Sequence, residues 1–245
     1  MSNIFPPPLV RRLKEEYDFE ESLYFDTDST NDQAKKALII VDMQNDFLPR
    51  GSLAVAGGDE VLPVVNKIQS EFNLIVATQD WHPVDHASFA SNHAGKNAMD
   101  IIDLDGLQQI LWPDHCVQGS KGAEFSVDLE THRIELIVRK GTNKRIDSYS
   151  AFFDNGHKKS TGLAGYLIER GVQQVTVCGL AADFCVYYTA MDALELGFQA
   201  EILLDGTRAI DPDGFEKKIQ LFKKKGGKLI SKKERSPNGE NGDLY

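Results

Sequence analysis

Six short apolar runs, at residues 37–41, 74–78, 134–138, 175–178, 202–204 and 228–230, set the strongest limit on how this chain can fold. They do not alternate apolar with polar residues. Such runs describe strands buried on both faces, as in a parallel sheet covered by helices, because an antiparallel sheet with one wet face would show a period of two. The segments between them carry the period of a helix. Val61, Val64, Val65 and Ile68 follow Asp59 as a cap; Leu163 with Leu167 and Ala164 with Ile168 form i,i+4 pairs; Phe215, Ile219 and Phe222 follow Asp213. Val186, Ala190, Ala193 and Leu194, closed by Gly197, form a further apolar face. The expected fold class is α/β, a three-layer α/β/α arrangement around a mostly parallel central sheet.

The chain of 245 residues is long enough for one generous core without cross-links. Residues 1–35, with Pro6-Pro7-Pro8 and an aromatic cluster around Tyr17, Phe19 and Tyr24, read as an N-terminal extension that packs on the body or on a neighbouring subunit. Residues 36–230 form the domain, and 231–245 have the composition of a disordered tail. Three cysteines, Cys116, Cys178 and Cys185, make an odd number without CxxC spacing, which argues for a reducing compartment. The N-terminus lacks the pattern of a signal peptide, and no run reaches the roughly 18 apolar residues of a membrane span, so an intracellular, cytoplasmic or nuclear, protein is expected. A net charge of −10 opposes binding to nucleic acid or an anionic membrane and favours a small-molecule partner, leaving room for a homo-oligomer. The lysine-rich stretch 217–233 reads as the solvated face of a terminal helix.

In an open parallel sheet, ligands bind beyond the carboxyl ends of the strands, so the polar residues just after each run are the ones to collect. These are Asp42; Asp80 and His82 in Gln79-Asp80-Trp81-His82; Arg139-Lys140-Gly141; and the turn Leu180-Ala181-Ala182-Asp183-Phe184 that leads to Cys185. At a helix start, free N–H groups and the macrodipole favour a thiolate, which makes Cys185 a candidate nucleophile. Asp80 and His82 are two apart, so on an extended segment both reach one cation. His115, from the long and mostly irregular insertion 91–122, can supply a third ligand, and His86 is another candidate. Two imidazoles and a carboxylate also serve non-haem iron oxygenases, but those carry the order His-x-Asp on β-rich scaffolds. Cys116, beside His115, is read as structural because no helix follows it closely, and Cys178 as core.

Ala37-Leu-Ile-Ile-Val-Asp-Met-Gln-Asn-Asp-Phe47, Thr78-Gln-Asp-Trp-His-Pro83, Leu111-Trp-Pro-Asp-His-Cys-Val117, Arg139-Lys-Gly141 and Gly179-Leu-Ala-Ala-Asp-Phe-Cys-Val186 stand in one order along the chain. Together they resemble the nicotinamidase (pyrazinamidase) group of the isochorismatase-like cysteine hydrolases over roughly residues 36–230. The resemblance implies Asp42, Lys140 and Cys185 as a catalytic triad, and Asp80, His82 and His115 as ligands to one divalent metal, zinc first, with iron or manganese as alternatives. It also implies a cis peptide between Leu180 and Ala181, an oxyanion hole from the N–H groups of Ala181 and Cys185, and an aromatic pocket from Phe47, Trp112 and Tyr149.

The reaction so implied is hydrolysis of nicotinamide to nicotinate and ammonia through a Cys185 thioester, a step of NAD salvage, with pyrazinamide as a further substrate. Asp42 is the expected base, Lys140 is expected to lower the thiol pKa, and the metal is expected to hold the pyridine nitrogen. Two rivals are an amidase acting on a carbamoyl or ureido substrate, against which the metal motif speaks, and a silent member that serves partner binding, against which the intact triad speaks.

Overall fold

A computed structural model describes residues 35–232. The expectations for an N-terminal extension and a disordered tail fall on residues outside this range, apart from residues 35, 231 and 232. Six strands form one parallel sheet in the order β5-β2-β1-β6-β7-β8: β1 (Lys36–Val41), β2 (Leu74–Asp80), β5 (Leu136–Lys140), β6 (Gln174–Leu180), β7 (Gln199–Arg208) and β8 (Lys228–Ile230). A two-stranded antiparallel hairpin, β3 (Ile101–Leu104) and β4 (Leu107–Ile110), stands apart from it. Among the described residues four α-helices cover the sheet: α1 (Leu62–Ile68), α2 (Leu163–Glu169), α3 (Tyr187–Glu195) and α4 (Pro212–Lys224).

The three layers follow from side-chain alternation along β1. Ala37, Ile39 and Val41 point into a core shared with α2, α3 and Phe222 of α4. Leu38 and Ile40 point the other way, into a core shared with Leu62, Val65 and Ile68 of α1. Both sets are fully buried, as continuous apolar runs require. β5 departs from that pattern. It lies at the sheet edge, begins two residues later than the apolar run 134–138, and alternates, with Val138 and Lys140 buried and Ile137 and Arg139 exposed. An edge strand is covered on one face only, so only every second residue need be apolar or paired.

Several expectations about caps and loops are corrected. Asp59 lies inside a 3-10 turn, Gly58–Val61, and makes no capping bond; Pro63 in the first turn of α1 starts the helix instead. Asp213 sits in the first turn of α4, where its charge suits the helix's positive end, while Asp211 holds the cap position. The lysine-rich stretch covers the exposed face of α4, but it also runs through a turn into β8. Insertion 91–122 is less irregular than expected, since it contains the hairpin. Asp105 and Gly106 both have positive φ, 54° and 84°, and an Asp-Gly pair is the signature of such a two-residue turn. Among the described residues no helix is long and apolar enough to cross a membrane.

Val41 of β1 has Gly179 of β6 as its register partner. Gly179 has φ of 105°, and a Cβ there would lie 2.0 Å from the Val41 carbonyl oxygen. Gly179→Ala is expected to lower stability by at least about 3 kcal/mol, from strain and overpacking together. A urea midpoint equal to that of the parent chain would contradict this packing.

Candidate functional site

The carboxyl ends of β1, β2, β5 and β6 converge, and each delivers one side chain to a common buried point. Asp80 and Lys140 are register partners in the β2–β5 pair. Asp42 follows β1 with φ of 46°, its N–H donating to Thr78 Oγ1 at 3.2 Å while the Thr78 hydroxyl donates to Asp42 Oδ1 at 2.6 Å. Lys140 is the hub. Its Nζ lies 2.8 Å from Asp42 Oδ2, pairs with Asp80 Oδ1, donates to the Ser148 carbonyl at 3.1 Å, and reaches Cys185 Sγ at 3.3 Å. A carboxylate oxygen each from Asp42 and Asp80 and the Cys185 sulfur lie within 4.8 Å of one another.

Cys185 belongs to a π-helical turn, Ala182–Val186, that runs straight into α3. It therefore lies within the first turn of one continuous helical stretch, slightly further in than the sequence pattern places it. The peptide between Leu180 and Ala181 is cis, as the resemblance implies.

Electrostatics decide where the protons rest. Burial pushes the Cys185 thiol up, and Asp42 and Asp80 add to this, so the opposing pull of Lys140 does not prevail. The expectation that Lys140 lowers the thiol pKa holds for that one interaction but not for the net direction, because burial, the largest influence, is joined by the two carboxylates. Burial likewise raises the Asp42 carboxyl, against Lys140. Asp80 is held well below the usual carboxylate range, against its burial, chiefly by Lys140 and His82. Lys140 loses hydration on burial, but Asp42, Asp80 and Cys185 hold its ammonium firmly protonated.

On the other side of Asp80 lie the two imidazoles. Asp80 Oδ2 is 3.6 Å from His82 Nε2 and 3.7 Å from His115 Nε2. His82 Nδ1 faces the Gly141 carbonyl at 2.9 Å and His115 Nδ1 the Pro113 carbonyl at 2.8 Å. A carbonyl only accepts, so each Nδ1 carries a proton and each Nε2 faces the same carboxylate oxygen. His82 Nε2 is buried without a hydrogen-bond partner. These donors fit one divalent cation. Gly141 is needed here, since it has φ of 63° and a Cβ would fall 2.3 Å from His82 Cε1. His86 is a neighbour rather than a member of this group. Its ring stands 4.3 Å from that of His82, its Nδ1 meets Ser88 Oγ at 2.7 Å, and burial followed by His82 lowers its pKa to about 4.

Phe47, Trp112 and Tyr149 line a small cavity that opens onto Cys185, Asp80 and His115. Trp112 Nε1 donates to the Tyr149 hydroxyl at 3.2 Å, which fixes two of the walls to each other. The sequence reading missed Phe184, Leu53 and Ile210, which complete the apolar lining, and Asp147. It also missed the supports. Gln44 donates to the carbonyls of Asp80 and Ala123, both at 2.8 Å, and accepts from the Asp80 N–H at 2.8 Å. Asp46 Oδ2 accepts from the Cys116 N–H at 2.7 Å, tying the His115 loop to the end of β1. Their signal was their presence inside Asp42-Met43-Gln44-Asn45-Asp46-Phe47, a run more polar than a strand exit needs. Cys116 is buried with its sulfur 4.0 Å from the Gly122 carbonyl, and Cys178 is buried in the core, so both structural readings agree with their positions.

Known proteins share this arrangement of strands and loops. The isochorismatase domain model matches residues 36–234. The nicotinamidase of Acinetobacter baylyi is 51% identical over 178 residues, 73% of this chain and 83% of its own length. A protein from L. infantum, solved in complex with nicotinate, is 43% identical with a TM-score of 0.72, over 81% of this chain and 93% of its own. The pyrazinamidase of Pyrococcus horikoshii, solved in complex with zinc, is 38% identical with a TM-score of 0.67, over 80% of this chain and 99% of its own. With the whole described sheet and every strand-end motif inside the residues that the domain model matches, the chain belongs to the isochorismatase family.

Proposed function

We propose that this chain is a nicotinamidase, hydrolysing nicotinamide to nicotinate and ammonia through a thioester on Cys185, in the service of NAD salvage, and that it also accepts pyrazinamide. The observation that carries the reading is Lys140 Nζ standing 3.3 Å from Cys185 Sγ and 2.8 Å from Asp42 Oδ2, beside the Asp80–His82–His115 group. A cytoplasmic setting suits the three free cysteines.

In this mechanism Asp42 is the general base. Burial raises both the Asp42 carboxyl and the Cys185 thiol, which leaves the proton on sulfur at rest, so its transfer to Asp42 accompanies attack. The sulfur then adds to the amide carbon, and the N–H groups of Ala181 and Cys185 donate to the oxyanion. Lys140 holds Asp42 in place and compensates the negative charge that moves onto sulfur. Asp42 passes its proton to the leaving nitrogen, ammonia departs, and water cleaves the thioester to nicotinate and free thiol. Phe47, Trp112, Tyr149 and Phe184 grip the flat ring and keep bulk water from it. Asp80, His82 and His115 would hold one divalent ion, zinc by analogy with the P. horikoshii complex, though the same donors suit iron or manganese. When bound, the ion supplies a Lewis-acid contact for the ring nitrogen of the substrate.

The test is ammonia release from nicotinamide by metal-loaded protein, with a carbamoyl compound lacking the pyridine ring as the comparison. Turnover of the comparison compound alone would reject the reading. His115→Ala is expected to lose metal and to lower kcat/KM at least about 100-fold, because a lost ligand costs no less than a lost outer partner. Full metal content and full activity in that variant would remove His115 from the site.

A further inference from the structure

Outside the candidate active site, one cluster of ligating side chains among the described residues has no role in the reaction described above. The turn that follows Phe153 presents His157 with φ of 50°, pinned by the Asp154 carboxylate, whose Oδ1 accepts from the Gly156 and Lys158 N–H groups at 3.2 and 2.8 Å. Its ring stacks on Phe153 at 4.8 Å and points Nε2 at Asp192 Oδ1, 3.2 Å away. Asp192 and Glu195 are three apart on α3 and so share one helix face. One ligand atom each from His157, Asp192 and Glu195 lie within 4.8 Å of one another.

Two observations show that this cluster is unsatisfied as a plain ion pair. The Asp192 side chain is only 7% exposed, yet its Oδ2 has no hydrogen-bond partner, and neither does His157 Nδ1. Both carboxylates also sit in the last turns of α3, where the helix dipole opposes negative charge, and that last turn holds no basic residue. The charges acting on His157 come from Asp192, Glu195 and Asp154, all carboxylates. A buried carboxylate with an idle oxygen, a second carboxylate beside it and a negative helix end call for a cation. The 3.2 Å between His157 and Asp192 suits one: around zinc, with bonds of about 2.0–2.1 Å, tetrahedral ligand atoms stand roughly 3.3 Å apart.

We propose that His157, Asp192 and Glu195 form a second divalent-cation site, of the zinc class, separate from the Asp80–His82–His115 group. An imidazole with two carboxylates is a borderline donor set that also suits manganese or cobalt. The site would fasten the 141–161 segment, which carries Ser148 and Tyr149, to the helix whose start holds Cys185. Asp192 lies seven residues along from Cys185, roughly 10 Å of helix, so the ion would act as a brace and take no part in the chemistry.

The probe is zinc alone. Parent protein, His157→Gln and Glu195→Gln are equilibrated with excess zinc, passed through a desalting column and measured for zinc per chain. Both variants are expected to hold one equivalent less than the parent. Glu195 is partly exposed, so Glu195→Gln is expected to keep its fold, and retained nicotinamide turnover at the parent rate checks this. Equal zinc content in parent and both variants overturns the proposal. A parallel His82→Ala arm keeps the two metal readings apart: an equivalent lost only there belongs to the first group, and one lost only in His157→Gln and Glu195→Gln belongs to the second.

Discussion

Cys185→Ala is expected to release ammonia from nicotinamide at least about 10⁴-fold more slowly than the parent chain while keeping its fold and its metal, since removing a covalent nucleophile ordinarily costs this much or more. No other sulfur can stand in. Cys116 faces the Gly122 carbonyl, and burial, followed by the nearby carboxylates, pushes its thiol well up. Cys178 is buried inside the sheet, where burial alone raises its pKa. The variant also separates chemistry from binding, because the cavity walls and the Asp80–His82–His115 group do not depend on the sulfur. Nicotinamide should still bind, and metal content should equal the parent's. A Cys185→Ala rate within about tenfold of the parent would mean that the nucleophile is water or another group, and the thioester route would be lost.

Legibility in the sequence tracked burial. β1, β2 and β6 lie in the middle of the sheet, so nearly every residue had to be apolar and the runs marked them, within one or two residues at each end. β5 was displaced because an edge strand needs only alternate apolar positions, and Lys140 is one of the inward ones. The strand-end rule collected Asp42, Asp80, Lys140 and Cys185 because polar residues after buried runs are conspicuous. It gave no account of partners. That Lys140 joins Asp80 as well as Asp42 is a consequence of register, Asp80 opposite Lys140, and register depends on contacts distant along the chain. Thr78 and Gln44 were missed for a related reason. Inside a strand or beside one, a lone Thr or Gln has several ordinary explanations, and only the folded chain shows that Thr78 holds Asp42 and Gln44 holds the Asp80 backbone. The hairpin at 101–110 was missed although Asp105-Gly106 is the signature of its turn, because its strands are short and only partly buried, so the apolar pattern was weak.

Lys140→Met is expected to destabilise the fold by about 3–5 kcal/mol as well as abolish turnover, because it removes one buried charge and leaves two of the opposite sign unpaired. The ammonium is buried against Asp42 Oδ2 at 2.8 Å and against Asp80, and the methionine that replaces it has similar length but offers neither carboxylate a proton. Asp42 already has a raised carboxyl pKa with Lys140 present, burial being the main cause and Lys140 the chief opposing influence. Without Lys140 it rises further. The sign of the pH dependence follows. A carboxyl whose folded pKa lies above its unfolded value binds more protons when folded, so the fold loses stability as pH rises and regains it as pH falls through the folded pKa. The deficit of Lys140→Met should therefore shrink as pH falls, measured as urea midpoints for variant and parent at a neutral and an acidic pH. Adding Asp42→Asn to Lys140→Met should recover part of the loss, since it removes one of the stranded charges and contacting residues are not additive. If Lys140→Met were as stable as the parent at both pH values, the three buried charges would not be coupled as their distances require. The activity of the double variant stays absent in either case, which separates the stability of this cluster from its chemistry.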